Sequence, residues 1–120
     1  MEDHMDSLLH QQIGKRIFDR RKQLRLTQEA LAELAGVTPQ TISSAETGKK
    51  GLRPENIVKI CTALEISCDY LLTGKITGDD YAVLQSRVSE LSPSQYHYLE
   101  NVIDNYLSAA LEGRASGKDN

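Results

Sequence analysis

The hydrophobic positions of this 120-residue chain fall into short runs at helical spacing, and most runs open in the same way. An apolar residue precedes a cap position, and a second apolar residue stands five places after the first. The pairs are Leu26 with Leu31, Val37 with Ile42, Leu52 with Ile57, Ile66 with Leu71 and Leu91 with Tyr96. At this spacing the residue before a helix packs on the helix's fourth residue and fixes the entry of the chain. The intervening caps are Thr27, Thr38, Arg53, Ser67 and Ser92. Hydroxyl side chains can accept a first-turn N–H there, which Arg cannot. Pro39, Pro54 and Pro93 fall at first helical positions, where a missing N–H costs nothing. Gly36, Gly48, Gly74 and Gly113 each follow an apolar-periodic stretch and mark stops. The pattern predicts helices over 8–25, 28–35, 39–46, 54–65, 68–73, 79–90 and 93–112. No alternating strand pattern competes, so the chain reads as all-α.

The stretch TQEALAELAGVTPQTISSAETGKK, from Thr27 to Lys50, carries the most specific constellation. Two short helices joined by a turn with Gly36 can cross steeply if small residues meet at the crossing. Ala32 and Ala45 supply these, while Leu31, Leu34, Val37 and Ile42 fill the space beneath.

On these residues, and on the closing SCDYLLTG, the segment 13–74 resembles the phage-repressor and Cro-type (XRE-type) helix-turn-helix domain. The resemblance implies a compact five-helix, lambda-repressor-like domain whose third helix enters the DNA major groove. It puts Gln28 at the start of the second helix against a DNA phosphate, where helix N–H groups and the positive dipole end favour an anion. Thr27, Lys49, Lys50 and Arg53 become further phosphate contacts. Thr38, Pro39, Gln40, Thr41 and Ser44 face base edges, with Gln40 able to pair with adenine N6 and N7. The resemblance also pairs Arg21 with Glu46 as a bridge between the first and third helices. Pro39 replaces a polar base reader common among relatives, and Arg25 stands where many relatives place Gly.

Beyond this domain, 8–74, a Gly- and Asp-rich linker is expected over 75–80, and a helical hairpin over 81–112. The last helix repeats apolar residues at three- and four-residue steps: Tyr96, Leu99, Ile103, Tyr106 and Ala110, widened by Val102 and Leu107. Ser92-Pro93-Ser94-Gln95 is a capping box. Two helices alone bury too little to be stable, so they are expected to dimerise, giving a homodimer that reads two half-sites. Folding back on their own domain, or forming a pocket for a peptide, toxin or small-molecule effector, are the alternatives. Residues 113–120 read as a disordered tail.

Composition changes the picture in one respect. The net charge of −3 is unusual for a DNA binder, but it is segregated. Residues 15–53 hold nine basic against four acidic side chains, whereas 76–120 hold three against seven. A basic segment that approaches phosphate and an acidic one that does not fit this division. Cys61 and Cys68 lack companion metal ligands and read as buried free thiols. His4, His10 and His97 are scattered, the first two in an N-terminus expected to fray. No nucleophile–base spacing, phosphate-cradling glycine loop or metal cluster is legible, so no enzyme, cofactor or metal is expected. With no apolar run for a membrane span and no secretion-signal layout, the expectation is a cytoplasmic protein, bacterial or phage by the resemblance. The functional reading is a sequence-specific double-stranded DNA-binding regulator, most simply a repressor. An antitoxin, or a protein-interaction module that has lost DNA, are the other readings.

Overall fold

The computed structural model describes residues 4–118, with side chains from 6 to 113. Seven helices and no strand occur among the described residues. They are α1 (His4–Gln23), α2 (Gln28–Ala35), α3 (Pro39–Thr47), α4 (Pro54–Leu64), α5 (Cys68–Thr73), α6 (Gly78–Val88) and α7 (Pro93–Lys118). The chain divides into two compact units between Asp80 and Tyr81.

The helix starts follow local chemistry. Thr27, Thr38 and Ser67 each accept the N–H of the residue three places on, from Ala30, Thr41 and Tyr70. Arg53 makes no side-chain cap bond, and α4 begins instead on Pro54. In the first unit α1 packs against α3, and α2 packs against α3 and α4. Ile17, Leu31, Ile42, Ile60, Leu64 and Leu71 are fully buried between them, each worth about 1.5–3 kcal/mol of burial. The staple residues Leu26, Val37, Leu52 and Ile66 lie half-buried against this core.

Two helix ends depart from the sequence-based expectation. α1 stops at Gln23 rather than 25, and α4 at Leu64 rather than 65. Each closes on a left-handed residue that is not glycine, Arg25 (φ 58°) and Glu65 (φ 57°). Leu26 N–H bonds to Arg21 C=O and Arg25 N–H to Lys22 C=O, while Ile66 and Glu65 bond in the same way to Cys61 and Thr62. These paired bonds match those that Gly36 and Gly48 make, so the closing motif is common to all four ends.

The chain ends also differ. α1 starts at His4, and His10 is half-buried in it rather than frayed. Gly113 does not stop α7, which continues to Lys118. A glycine inside a helix costs only about 1 kcal/mol, and the neighbours Glu112, Arg114 and Ala115 of Gly113 are good helix formers. The expected disordered tail is therefore helical as far as residue 118, and residues 119–120 lie outside the described ones. Of the expected linker, 75–80, only residues 75–77 are non-helical.

In the second unit Ser92 and Gln95 form the reciprocal capping box: Ser92 N–H donates to Gln95 Oε1 (2.9 Å) and Gln95 N–H to Ser92 Oγ (3.2 Å). α6 buries no residue, and the apolar stripe of α7 is open. Tyr96, Val102, Ile103, Tyr106 and Leu107 are exposed, and Leu99 is half-buried. A hollow of about 560 Å³ lies between the faces of Tyr81, Leu84 and Val88 on α6 and Tyr96, Leu99 and Ile103 on α7.

Candidate nucleic-acid interface

The crossing of α1 over α3 sets the attitude of α3. A Cβ on Gly14 would run into the Ala45 carbonyl and stand 2.7 Å from that of Glu46, so only glycine permits the approach. Ala45 is buried on the facing side. Beside this contact Arg21 and Glu46 form a buried two-point ion pair, with Nε to Oε2 at 2.6 Å and Nη2 to Oε1 at 3.0 Å. The Glu46 hydrogen bond is the main cause that raises the Arg21 pKa, and burial opposes it. Arg21 Nη1 also donates to the Leu26 carbonyl, tying in the turn that leads to α2.

Gln28 completes this network. Its Nε2 donates to Glu46 Oε1 at 3.0 Å, so its carboxamide is held by α3. Gln28 nevertheless opens α2, where first-turn N–H groups have no partner within the helix. Thr27 is exposed beside it, its hydroxyl engaged as the cap.

The α3 side chains divide by what already holds them. Thr38 Oγ1 accepts from Thr41 N–H and shares a 2.9 Å hydrogen bond with Thr41 Oγ1. Pro39 is exposed and has no side-chain donor or acceptor. Gln40 is exposed, with Nε2 donating to Ser44 Oγ at 3.3 Å. Gln40, Thr41 and Ser44 form one side of a cleft of about 300 Å³, and Lys50, Arg53 and Asn56 line it from the α3–α4 connection and the first turn of α4. Thr27, Gln28, Thr38, Pro39 and Lys49 lie outside this cleft.

Asn56 has no counterpart in the sequence reading. Its only signal is position: it sits two residues after Pro54, at a helix start that lacks a side-chain cap. The basic cluster of α1 also proves more structural than its charge suggests. Arg16 Nη1 donates to the Leu71 carbonyl and Arg20 Nε to that of Leu64, both at 2.9 Å. These guanidinium groups serve the carbonyl-rich ends of α5 and α4. Lys49, Lys50 and Arg53 are exposed in the connection that follows α3.

Among the described residues no group of three or more His, Cys, Asp or Glu could hold a metal. Cys61 is buried, and burial together with the neighbouring Cys68 thiol pushes its pKa up to about 12. No described helix is long and apolar enough to cross a membrane.

Residues 17–71 match a helix-turn-helix family model, HTH_3. The repressor protein C2 of Salmonella phage P22 is 38% identical over 72 residues, covering 60% of this chain and 33% of that protein. The chain thus spans about a third of that relative's length. The crystal structure of the P22 c2 repressor with a synthetic operator is similar, with TM-score 0.52 and 40% identity over 54% of this chain and 98% of that one. The HTH-type transcriptional regulator YqaE of Bacillus subtilis is 30% identical over 96 residues, 77% of this chain and 80% of that protein. A SinR–SinI protein complex is similar over 80% of this chain and 98% of that one, at 25% identity and TM-score 0.52.

Proposed function

The chain belongs to the HTH_3 helix-turn-helix family, and from that premise we propose that it is a sequence-specific regulator of transcription that binds double-stranded DNA. In this reading it is a homodimeric repressor whose α3 reads the major groove of a palindromic operator.

The cleft carries the proposal. It joins exposed Gln40 and half-buried Thr41 and Ser44 to the exposed cations Lys50 and Arg53. Base contacts specify and phosphate contacts position, and both kinds of group occur here on adjoining surfaces. Gln40 is assigned the adenine-type contact, because a carboxamide offers a donor and an acceptor side by side. Ser44, held to Gln40, limits the orientations of that carboxamide. Thr41 lies against a neighbouring base, while Thr38 and Pro39 shape the entering end of α3. Thr27, Gln28, Lys49, Lys50 and Arg53 are assigned to phosphates. For Gln28 the backbone N–H is the donor, since Glu46 holds its side chain. The P22 repressor, solved on an operator, supports this reading.

Homodimerisation is assigned to the second unit. Tyr96, Leu99, Val102, Ile103, Tyr106, Leu107 and Ala110 form a stripe that the rest of the second unit leaves largely uncovered. Burying it against a second copy would join two reading heads, which bind half-sites one helical turn, about 34 Å, apart. The same open faces fit a helical protein partner, a reading favoured by the similarity to a structure containing SinR with SinI.

Selection from random double-stranded DNA, with Gln40→Ala in parallel, tests the reading. A palindromic consensus that changes at one position per half-site in the variant is the expected result. No enrichment by the native protein would reject DNA recognition. Light scattering tests the dimer, and a monomer at micromolar concentration would reject it.

A further inference from the structure

Asp80 is the last residue of the first unit and stands in the first turn of α6. Its Oδ2 accepts three hydrogen bonds, from Thr77 N–H at 2.8 Å, Thr77 hydroxyl at 3.1 Å and Ser67 hydroxyl at 3.2 Å. The first two are local and cap α6. The third reaches back thirteen residues to the start of α5.

Ser67 is already engaged there. Its Oγ accepts the Tyr70 N–H at 2.9 Å as the α5 cap, and its carbonyl accepts from the Cys61 thiol at 3.8 Å. A hydroxyl donates one hydrogen and can accept as well, so Ser67 receives from α5 while giving to Asp80. An ionised carboxylate only accepts, which matches three converging donors. Those donors, the Thr77 backbone N–H foremost, hold the Asp80 carboxyl below its usual range. Ile76 lies in the same non-helical segment, residues 74–77, and lines a groove with Ile66 and Tyr70.

We propose that the Ser67–Asp80 hydrogen bond is a latch that pins the segment leading out of the DNA-binding unit, and that Asp80 is thereby a positioning residue for half-site spacing. The inference rests on the homodimer reading above. With the latch closed, the chain is held to its DNA-binding unit as far as Asp80. With it open, the non-helical residues 74–77, which begin with Gly74, become a tether ahead of α6. Four freed residues reach about 13 Å when extended. A tether of that reach accommodates altered spacing but lowers the effective concentration of the second reading head. A closed latch does the reverse: one added base pair moves a half-site by about 3.4 Å and turns it by roughly a tenth of a revolution.

The test is a fluorescence-anisotropy titration of the full chain on its selected operator, and on versions with half-sites moved by one and two base pairs. Native protein, Asp80→Ala and Thr77→Val are compared. Native protein is expected to lose about tenfold in affinity per base pair moved. Asp80→Ala is expected to bind the best spacing more weakly yet vary by less than about threefold across the series. Thr77→Val keeps the Ser67 bond and is expected to follow the native profile. Unchanged binding of Asp80→Ala to a single half-site shows that its DNA-binding unit is folded. A native-like spacing profile for Asp80→Ala, with native protein dimeric by light scattering, overturns the latch alone. A monomeric native protein overturns the latch and the homodimer reading together.

Discussion

The Arg21 guanidinium on α1 grips both carboxylate oxygens of Glu46 on α3, at 2.6 and 3.0 Å, with both side chains almost excluded from water. Because Gln28 donates to the same carboxylate, one acid holds three helices in register. Breaking such a pair leaves a charge buried without compensation, at a cost of about 3–5 kcal/mol. Arg21→Ala is expected to lose stability of that order in urea unfolding. Lys22→Ala, on the exposed side of α1, is expected to change it by no more than about 0.5 kcal/mol. Equal losses would mean that the pair does not hold the fold.

Gly14 meets α3 at its backbone, so an added methyl has no flexible side chain to displace. Overpacking of this kind costs about 1–3 kcal/mol, and here the helices themselves must separate. Gly14→Ala is expected to lower the melting temperature and to weaken operator binding by tilting α3. Retention of both native values would show that the α1–α3 approach is not tight.

Arg25 closes α1 in the left-handed region at φ 58°. A side chain there is strained, whereas glycine adopts the conformation freely. Arg25→Gly is expected to stabilise the protein by about 0.5–1 kcal/mol, after the added entropy of the unfolded chain is subtracted. Thermal unfolding by circular dichroism reads the sign directly, and a fall in melting temperature would contradict the strain.

The Cys61 thiol is pushed up to about 12 from an ordinary value of 9.0, by burial first and then by the Cys68 thiol. The raised value means that the folded state keeps its proton longer than the unfolded state does. Its contribution to stability is therefore complete below about pH 9 and is lost as pH rises toward 12. The slope is at most about 1.4 kcal/mol per pH unit for one proton. Relative to Cys61→Ala, the native protein is expected to lose stability over that window, with parallel curves below it. Iodoacetamide at pH 8 should leave Cys61 unmodified in the native state by mass spectrometry. Labelling as fast as in urea would refute its protection.

Lys50 lines the cleft from an exposed position beside α3. A phosphate contact there releases a counterion on binding, so Lys50→Ala should weaken all DNA sequences alike. The logarithmic salt slope should become shallower by about 1 per half-site. A change of base preference at constant slope would instead make Lys50 a base reader.

The fold class was legible because its signals are short-ranged. Thr27, Thr38, Ser67 and Ser92 cap helices through N–H groups three residues away, and Pro39, Pro54 and Pro93 start them. The two ends misread at 25 and 65 lacked a glycine to mark them, although their closing hydrogen bonds match those at Gly36 and Gly48. Gly113 misled in the opposite way, being a stop signal that α7 ignores. The candidate site was legible in part. Gln40, Thr41 and Ser44 share a helix face by periodicity alone, but Asn56 joins them only because α4 starts beside that face.

By itself, then, the sequence determined an all-helical chain, the starts of its helices and the residue types that share a face of its third helix. Each of these depends on contacts within about five positions. Tertiary structure decided which of those residues are already spent. Gln28 gives its amide to a residue 18 positions away, and Arg20 gives its guanidinium to a carbonyl 44 away. It also made Gly14 indispensable, and it bent the segment after Gly74 back so that Asp80 meets Ser67. A local pattern cannot encode these partners, because a hydrogen-bonding group is claimed by whatever donor or acceptor the packed helices bring within about 3 Å.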